Sequence, residues 1–393
     1  MSHPFFSAPH RVMFAAGSLQ LLASMAFWLV ELVSRTGVMG TPSVPAVPPL
    51  WLHAGTMIFG IFPFFIFGFL MTALPKWMAA EPLAPGAYLP SFVILTAGWG
   101  GFYCSLAYPV LQAPSLVLAA AGQALGAAKL AAILRSSAAD RRHGLLVVVA
   151  LALGAGAEVL YAYALAVGSE GAFRWAIELG LWACVAPVFA AVLHRMLPFF
   201  TAAVVRGYRC DASFSLLLVL AAGFVGHAVG QAVGTPWRGI FDALATAAAL
   251  RLSWQWNPRA GLAAPMLAML HLGALWLAVG MSLFAVQAAL GAAGIAWGGL
   301  LPLHAVGAGF FASVLIGMAT RVTLGHSGRP IGDDRWAWPL FWIFQGVVAL
   351  RLAGEFFPAA SIAAAMGWLA VFGLWSVKHL PMYFRPRPDG QPG

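Results

Sequence analysis

Charge is what this sequence most lacks: Asp, Glu, Lys and Arg make up 8% of its 393 residues, while 62% are hydrophobic. A water-soluble domain carries about 25% charged residues, so too few are present to cover an aqueous surface, and a soluble fold is excluded. Cysteine is scarce too. Cys104, Cys184 and Cys210 stand alone, with no C-x-x-C pair and no C-x-x-C-H site. That argues against covalently attached haem and a thiolate zinc knuckle and leaves non-covalent haem open. No short-period repeat is visible, although a threefold repetition of four-helix units would escape a reading by eye. The first apolar run, Val12 to Val33, is too long for a signal-peptide core and lacks a clear small-x-small site at its end, so it reads as a retained span.

Apolar sequence is what the chain has in abundance. A bilayer-spanning helix needs about 20 apolar residues. Such runs lie near 12–33, 53–74, 89–108, 113–134, 144–167, 173–194, 212–233, 238–254, 263–290, 297–320, 335–356 and 361–380. The expected fold is all-α: a polytopic integral membrane protein of about twelve transmembrane helices in one bundle. A segment over 1–11 precedes the transmembrane domain at 12–380, and a tail over 381–393 follows it. The eighth span is the weakest, being short and carrying Asp242 and Arg251. Pro, Gly and charge mark the connections, at Gly40 to Pro49, Pro75 to Pro90, Arg135 to His143, Pro198 to Asp211 and Arg321 to Arg335.

An even number of spans puts both termini on one side. Alternate connections then hold seventeen Lys and Arg on that side against four on the other, Arg35, Arg174, Arg238 and Arg351. Cytoplasmic loops carry the excess of Lys and Arg, so both termini are expected in the cytoplasm. The formal charge of +9, which alone would suggest nucleic acid, is then explained by loops facing anionic lipid.

With depth assigned, the polar residues become informative. At ~1.5 Å per residue, Glu158 lies roughly 20 Å from the inner end of the fifth span. Glu31, Glu178, Asp242 and Glu355 fall near outer ends, and no carboxylate sits in the inner half of any span. Ionisable groups inside a bilayer are costly and tend to be functional, which singles out Glu158. Glu31, Asp242 and Glu355 read more simply as end-of-span acids touching headgroup water. Among the histidines, His53, His227 and His304 share the outer half and could face one cavity. His194 ends the sixth span at the inner face, His271 is about two turns inside the ninth, and His326 sits in the loop after the tenth. His3, His10, His143 and His379, terminal or in loops, are expected to be solvated. Imidazole binds iron, copper and zinc in its neutral form. A lone intramembrane His is more often a hydrogen-bonded structural residue, but three at matching depth shift the weight towards ligation. No H-x-x-x-H pair occurs on one span, so any site is assembled between helices.

Several stretches carry a resemblance. His304-Ala-Val-Gly-Ala-Gly, continuing to Thr320-Arg-Val-Thr-Leu-Gly-His326-Ser-Gly-Arg-Pro330, is similar to the H-A-x-x-x-G … M-T-R-V-x-L-G-H-[ST]-G-R-P signature of the NnrS family. Leu193-His-Arg-Met-Leu-Pro-Phe-Phe-Thr201, Leu270-His-Leu-Gly-Ala-Leu-Trp276 and the closing Arg385-Pro-Arg-Pro-Asp-Gly-Gln-Pro-Gly393 resemble further family segments. One departure stands out. The family usually shows W-H-x-H-E-M at the start of the second span, and Leu52-His53-Ala54-Gly55-Thr56-Met57 has Gly and Thr where the second His and the Glu would stand.

The resemblance implies a bacterial inner-membrane protein associated with haem (b-type, non-covalent), with copper and with the response to nitric oxide. It places His53 and His304 as ligands of a centre in the outer half, with His227 as a further candidate outside the motifs. His271, His326 and His194 are the remaining candidate ligands, and Arg195, Arg321 and Arg329 are suited to an anion or a haem propionate. If the chemistry consumes protons, Glu158 and Glu178 would relay them from outside. Two functions follow: an oxidoreductase acting on nitric oxide or a related diatomic with an unknown electron donor, or a non-catalytic haem/copper sensor or metal transporter; a structural membrane scaffold, binding neither haem nor metal, is the third alternative.

Overall fold

A computed structural model describes residues 3–37, 47–332 and 334–390. Most of the connection expected from Gly40 to Pro49 lies outside the described residues, as do Asp333 and the last three residues of the tail. Among the described residues there is no strand, and twelve long helices follow one another. They are α1 (Pro9–Ser34), α2 (Pro49–Trp77), α3 (Pro85–Cys104), α4 (Gln112–Ser136), α5 (Arg142–Val167), α6 (Glu170–Val204), α7 (Phe214–Val233), α8 (Arg238–Gln255), α9 (Pro265–Ala292), α10 (Leu301–His326), α11 (Ala337–Ala353) and α12 (Pro358–Phe384). Nine of them are long and apolar enough to cross a membrane. The other three are α11, which is apolar but shorter, α3, diluted by Gly, Tyr and Trp, and α8, which carries Arg238, Asp242 and Arg251. The chain is an all-α, multi-pass membrane protein.

Three helices share a construction that the sequence pattern did not announce. α2 contains a π-helical segment at Thr56–Ile61, α6 one at Leu179–Val185 and α10 one at Ala305–Ala312. In the first two the segment ends two residues before a proline, Pro63 or Pro187. Proline has no N–H and its ring clashes with the carbonyl four residues back, and a widened turn accommodates both defects. In α10 no proline follows. There Gly307 and Gly309 lie inside the segment, and the Trp276 ring of α9 approaches to 2.7 Å of where a Cβ on Gly309 would be. The α–π–α construction thus recurs at every fourth helix, the spacing expected of three four-helix repeats. His53, Glu178 and His304 each stand within three residues before a π segment.

The helices form two compact units, one of residues 1–188 with 376–393 and one of 189–375, with boundaries inside α6 and α12. In the first unit α3 packs on α4 and α4 on α5; in the second α7 packs on α8, α8 on α9 and α9 on α10. Small residues allow this proximity. A Cβ on Gly98 would lie 2.5 Å from the Ala119 amide nitrogen, and one on Gly122 would lie 2.6 Å from that of Leu95, so α3 and α4 touch backbone to backbone.

Several expected boundaries move. α6 continues through Pro198 to Val204, so His194 lies nearly three turns before its end. α10 begins at Leu301, placing His304 in its first turn, and runs to His326, which is therefore helical and not in the loop. Only Gly328, at φ +70°, serves the turn that follows, because Gly325 lies in the helix. His10, His143 and His379 are buried, not solvated, because helical structure begins at Pro9 and Arg142 and extends to Phe384, packing all three. His3 is exposed, as expected.

Candidate functional site

The second unit joins two of the expected outer-half histidines by a continuous chain of polar contacts. His227, on α7, is buried and its Nδ1 lies 2.6 Å from Oδ1 of Asp242 on α8. Asp242 is wholly buried, and its other oxygen accepts from Arg238, one turn earlier, at 3.3 Å. A second Arg238 nitrogen donates to Oε1 of Gln287 on α9 at 3.2 Å. The Gln287 amide in turn donates to the carbonyls of Trp297 and Gly299, at 3.0 and 2.8 Å. The next amide, Leu300, donates to Oε2 of Glu355 at 3.1 Å, and Oε1 of Glu355 accepts from Arg351 at 3.1 Å. His304 closes the chain: its Nδ1 is 2.9 Å from the Leu300 carbonyl and 3.7 Å from Glu355.

This arrangement fixes the tautomers. A ring nitrogen facing a carbonyl must carry the hydrogen, so His304 donates from Nδ1 and keeps its lone pair on Nε2. The carboxylate does the same for His227. Metal-ligating histidines are held in this way, with the second nitrogen donating to a carbonyl or a carboxylate. The glycines of the connecting loop are needed by geometry. Gly299 has φ +47°, and a Cβ there would lie 2.7 Å from Glu355 Oε2. Asp242 is thus a buried member of a bonded network and not an acid touching headgroup water, and Glu355, half-buried, belongs to the same network.

In the first unit, His53 lies in the second turn of α2 and stacks on Trp28 of α1, with ring centroids 4.1 Å apart. The Arg35 guanidinium covers the Trp28 ring at 5.1 Å and pairs with Glu31 at 3.0 Å. The departure at Gly55 has a structural counterpart. A Cβ there would lie 2.2 Å from the Tyr161 ring, whose hydroxyl donates to the Trp51 carbonyl at 3.0 Å. Tyr161 occupies the space that the second histidine of the resembled motif would need. Glu178 stands at the start of the π segment of α6, and Glu158, on α5, is wholly buried and accepts from the Gln123 amide of α4.

The residues of the second unit expected in the inner half are individually held. His194 lies 3.3 Å through Nε2 from the Ser213 carbonyl. His271 Nε2 is 3.3 Å from the Thr201 hydroxyl, which itself donates to Leu197, and the ring packs where Gly261 has no side chain. The Arg321 guanidinium lies 4.0 Å from the centroid of Phe200. Arg195 is half-buried, and Arg329 keeps a buried Nη1 with no hydrogen-bond partner among the described residues. Also among the described residues, no three His, Cys, Asp or Glu side chains gather as a metal-binding group.

Sequence reasoning found the histidines and acids but missed Gln287, Gln123, Tyr161 and the carbonyls of Trp297 and Gly299. One signal was available. All four basic residues assigned to the outer side pair with an acid four positions away: Arg35 with Glu31, Arg174 with Glu170, Arg238 with Asp242 and Arg351 with Glu355. Among curated proteins none matches this chain. The family model described as NnrS protein matches residues 4–387. With nearly the whole sequence covered, the chain belongs to the NnrS family.

Proposed function

We propose that the protein binds haem through the histidines at the expected outer end of its second unit, His304 foremost, and that nitric oxide is the ligand handled there. Family membership makes it a membrane protein of the nitric oxide response; the cofactor and its ligands are our reading. The setting of His304 carries it. Nδ1 is committed to the Leu300 carbonyl, so the lone pair resides on Nε2. Beside it, Arg351 gives one nitrogen to Glu355, while its Nη1 is buried without a hydrogen-bond partner among the described residues. A buried guanidinium donor left open suits a carboxylate such as a haem propionate.

The donor set favours haem over copper alone. A copper centre built from His, Cys, Asp or Glu gathers several such side chains at one point, and no group of three occurs among the described residues. A porphyrin brings four nitrogens of its own, so a single histidine such as His304 would suffice to hold its iron. Bound haem would supply an iron that takes up a diatomic ligand and changes oxidation state. The chain's own residues do the rest: Leu300 and Glu355 hold the imidazole orientation, Arg351 offers a cation for an acid group, and apolar helices exclude water. We place both termini in the cytoplasm of a bacterial inner membrane, with His304 towards the outside.

Haem and copper assays with reduced-minus-oxidised spectra of detergent-purified protein test this. A Soret band that shifts with nitric oxide and is lost in His304→Ala is expected. Copper without haem, or a band indifferent to His304, overturns the reading. Consumption of nitric oxide in the presence of a reductant distinguishes an enzyme from a sensor.

A further inference from the structure

The first unit contains a narrow cavity between two π segments. Ile58 and Phe59 line it from α2, Gly180, Cys184 and Val185 from α6, Leu151 and Gly154 from α5, and Gln123 from α4. It has room for about one water molecule. Gln123 supplies its amide group and Cys184 its thiol; the rest of this lining is apolar. Glu158 lies one turn beyond Gly154 on the same face of α5. One of its oxygens accepts from Gln123, and the other, Oε1, is buried with no hydrogen-bond partner among the described residues. Among the same residues no Lys or Arg is paired with it. An unsatisfied buried oxygen costs about 1–3 kcal/mol, and a buried water normally makes two to four hydrogen bonds to such groups.

We propose that this cavity holds a water molecule through which Glu158 takes up and releases a proton, making it an intramembrane proton-carrying group. In the forward step a hydronium, or a water in contact with one, gives a proton to Oε1, and carboxylate becomes carboxylic acid. The reverse step returns the proton to water, and no electron moves. Gln123, which lines the cavity, keeps its bond to the other oxygen throughout and ties the carboxyl to the cavity wall. Gly154 keeps the space open: a Cβ there would lie 2.4 Å from Cys184 Sγ and 3.9 Å from Gln123 Oε1. The remaining titratable groups facing the acid are Cys184 from α6 and Tyr161, one turn further along α5. The proposal needs no cofactor and stands or falls independently of haem at His304.

Infrared spectra of the purified, lipid-reconstituted full chain over a pH series provide the test. A carboxylic-acid C=O band that shifts promptly in D2O is expected from wild type, and its loss is expected in Glu158→Gln. Should that variant not fold, Gln123→Leu must move the band to higher frequency, and Gly154→Ala, which fills the cavity, must slow the deuterium shift several-fold. The proposal is overturned by a wild-type band that never exchanges, by the absence of any such band across the series, or by a band unaltered in all three variants.

Discussion

At the scale of single residues, Asp242 bears the most. Wholly buried, it satisfies His227 with one oxygen and Arg238 with the other. Removing one partner of a buried charged pair leaves the other uncompensated, at a cost of about 3–5 kcal/mol. Asp242→Ala should therefore lower the unfolding midpoint in detergent far more than Arg174→Ala, which breaks only the exposed pair with Glu170. Equal shifts would show that the buried network contributes little. Gly55 makes a second case. Gly55→Ala drives a methyl group into the Tyr161 ring, and overpacking of this kind costs about 1–3 kcal/mol. Tyr161→Leu in the same chain should recover much of that loss. A double-mutant cycle with no coupling between the two positions would show that Tyr161 does not fill the space beside Gly55.

At the scale of elements, the loop from Ala293 to Leu300 is the joint between α9 and α10, and Gln287 fastens it through two carbonyls. Gln287→Ala removes the amide that makes both bonds, worth about 1 kcal/mol each. Hydrogen exchange at Leu300 and in the first turn of α10 should accelerate several-fold, while α5 and α6 keep their protection. Unchanged exchange in that turn would show that Gln287 does not position His304. The π segments belong to the same scale. Pro63 and Pro187 follow two of them, but a proline inside a long apolar run does not by itself announce a π segment. The third depends on Trp276 pressing against Gly309 from a different helix, and no local pattern signals that contact.

At the scale of the molecule, charge asymmetry predicts the orientation. Seventeen of the 21 Lys and Arg are expected on the side of the termini, and each of the other four is neutralised by an acid one turn away. The expected outer side therefore presents no unpaired positive charge to oppose translocation. The native cysteines report on this directly. Cys104 is exposed at the end of α3, expected outside, and Cys210 is half-buried in the connection after α6, expected inside. A membrane-impermeant thiol reagent applied to intact spheroplasts should label Cys104 and spare Cys210 until the membrane is opened. The reverse pattern would invert the topology.

The sequence by itself determined the class and the order of the long helices, and it singled out the histidines and acids worth following, because apolar length and residue type are local quantities read along the chain. It also contained the departure at Gly55. Helix ends were less legible, because a membrane helix tolerates Pro and Gly that would end a soluble one, as at Pro198 and Gly325. Only the tertiary structure decided which nitrogen of His227 and His304 is committed, that Tyr161 fills the space beside Gly55, and that Gln123 and Gln287 are the amides that matter. Those facts depend on contacts between helices distant in sequence, where the partner of a buried polar atom is chosen by packing and not by its neighbours along the chain.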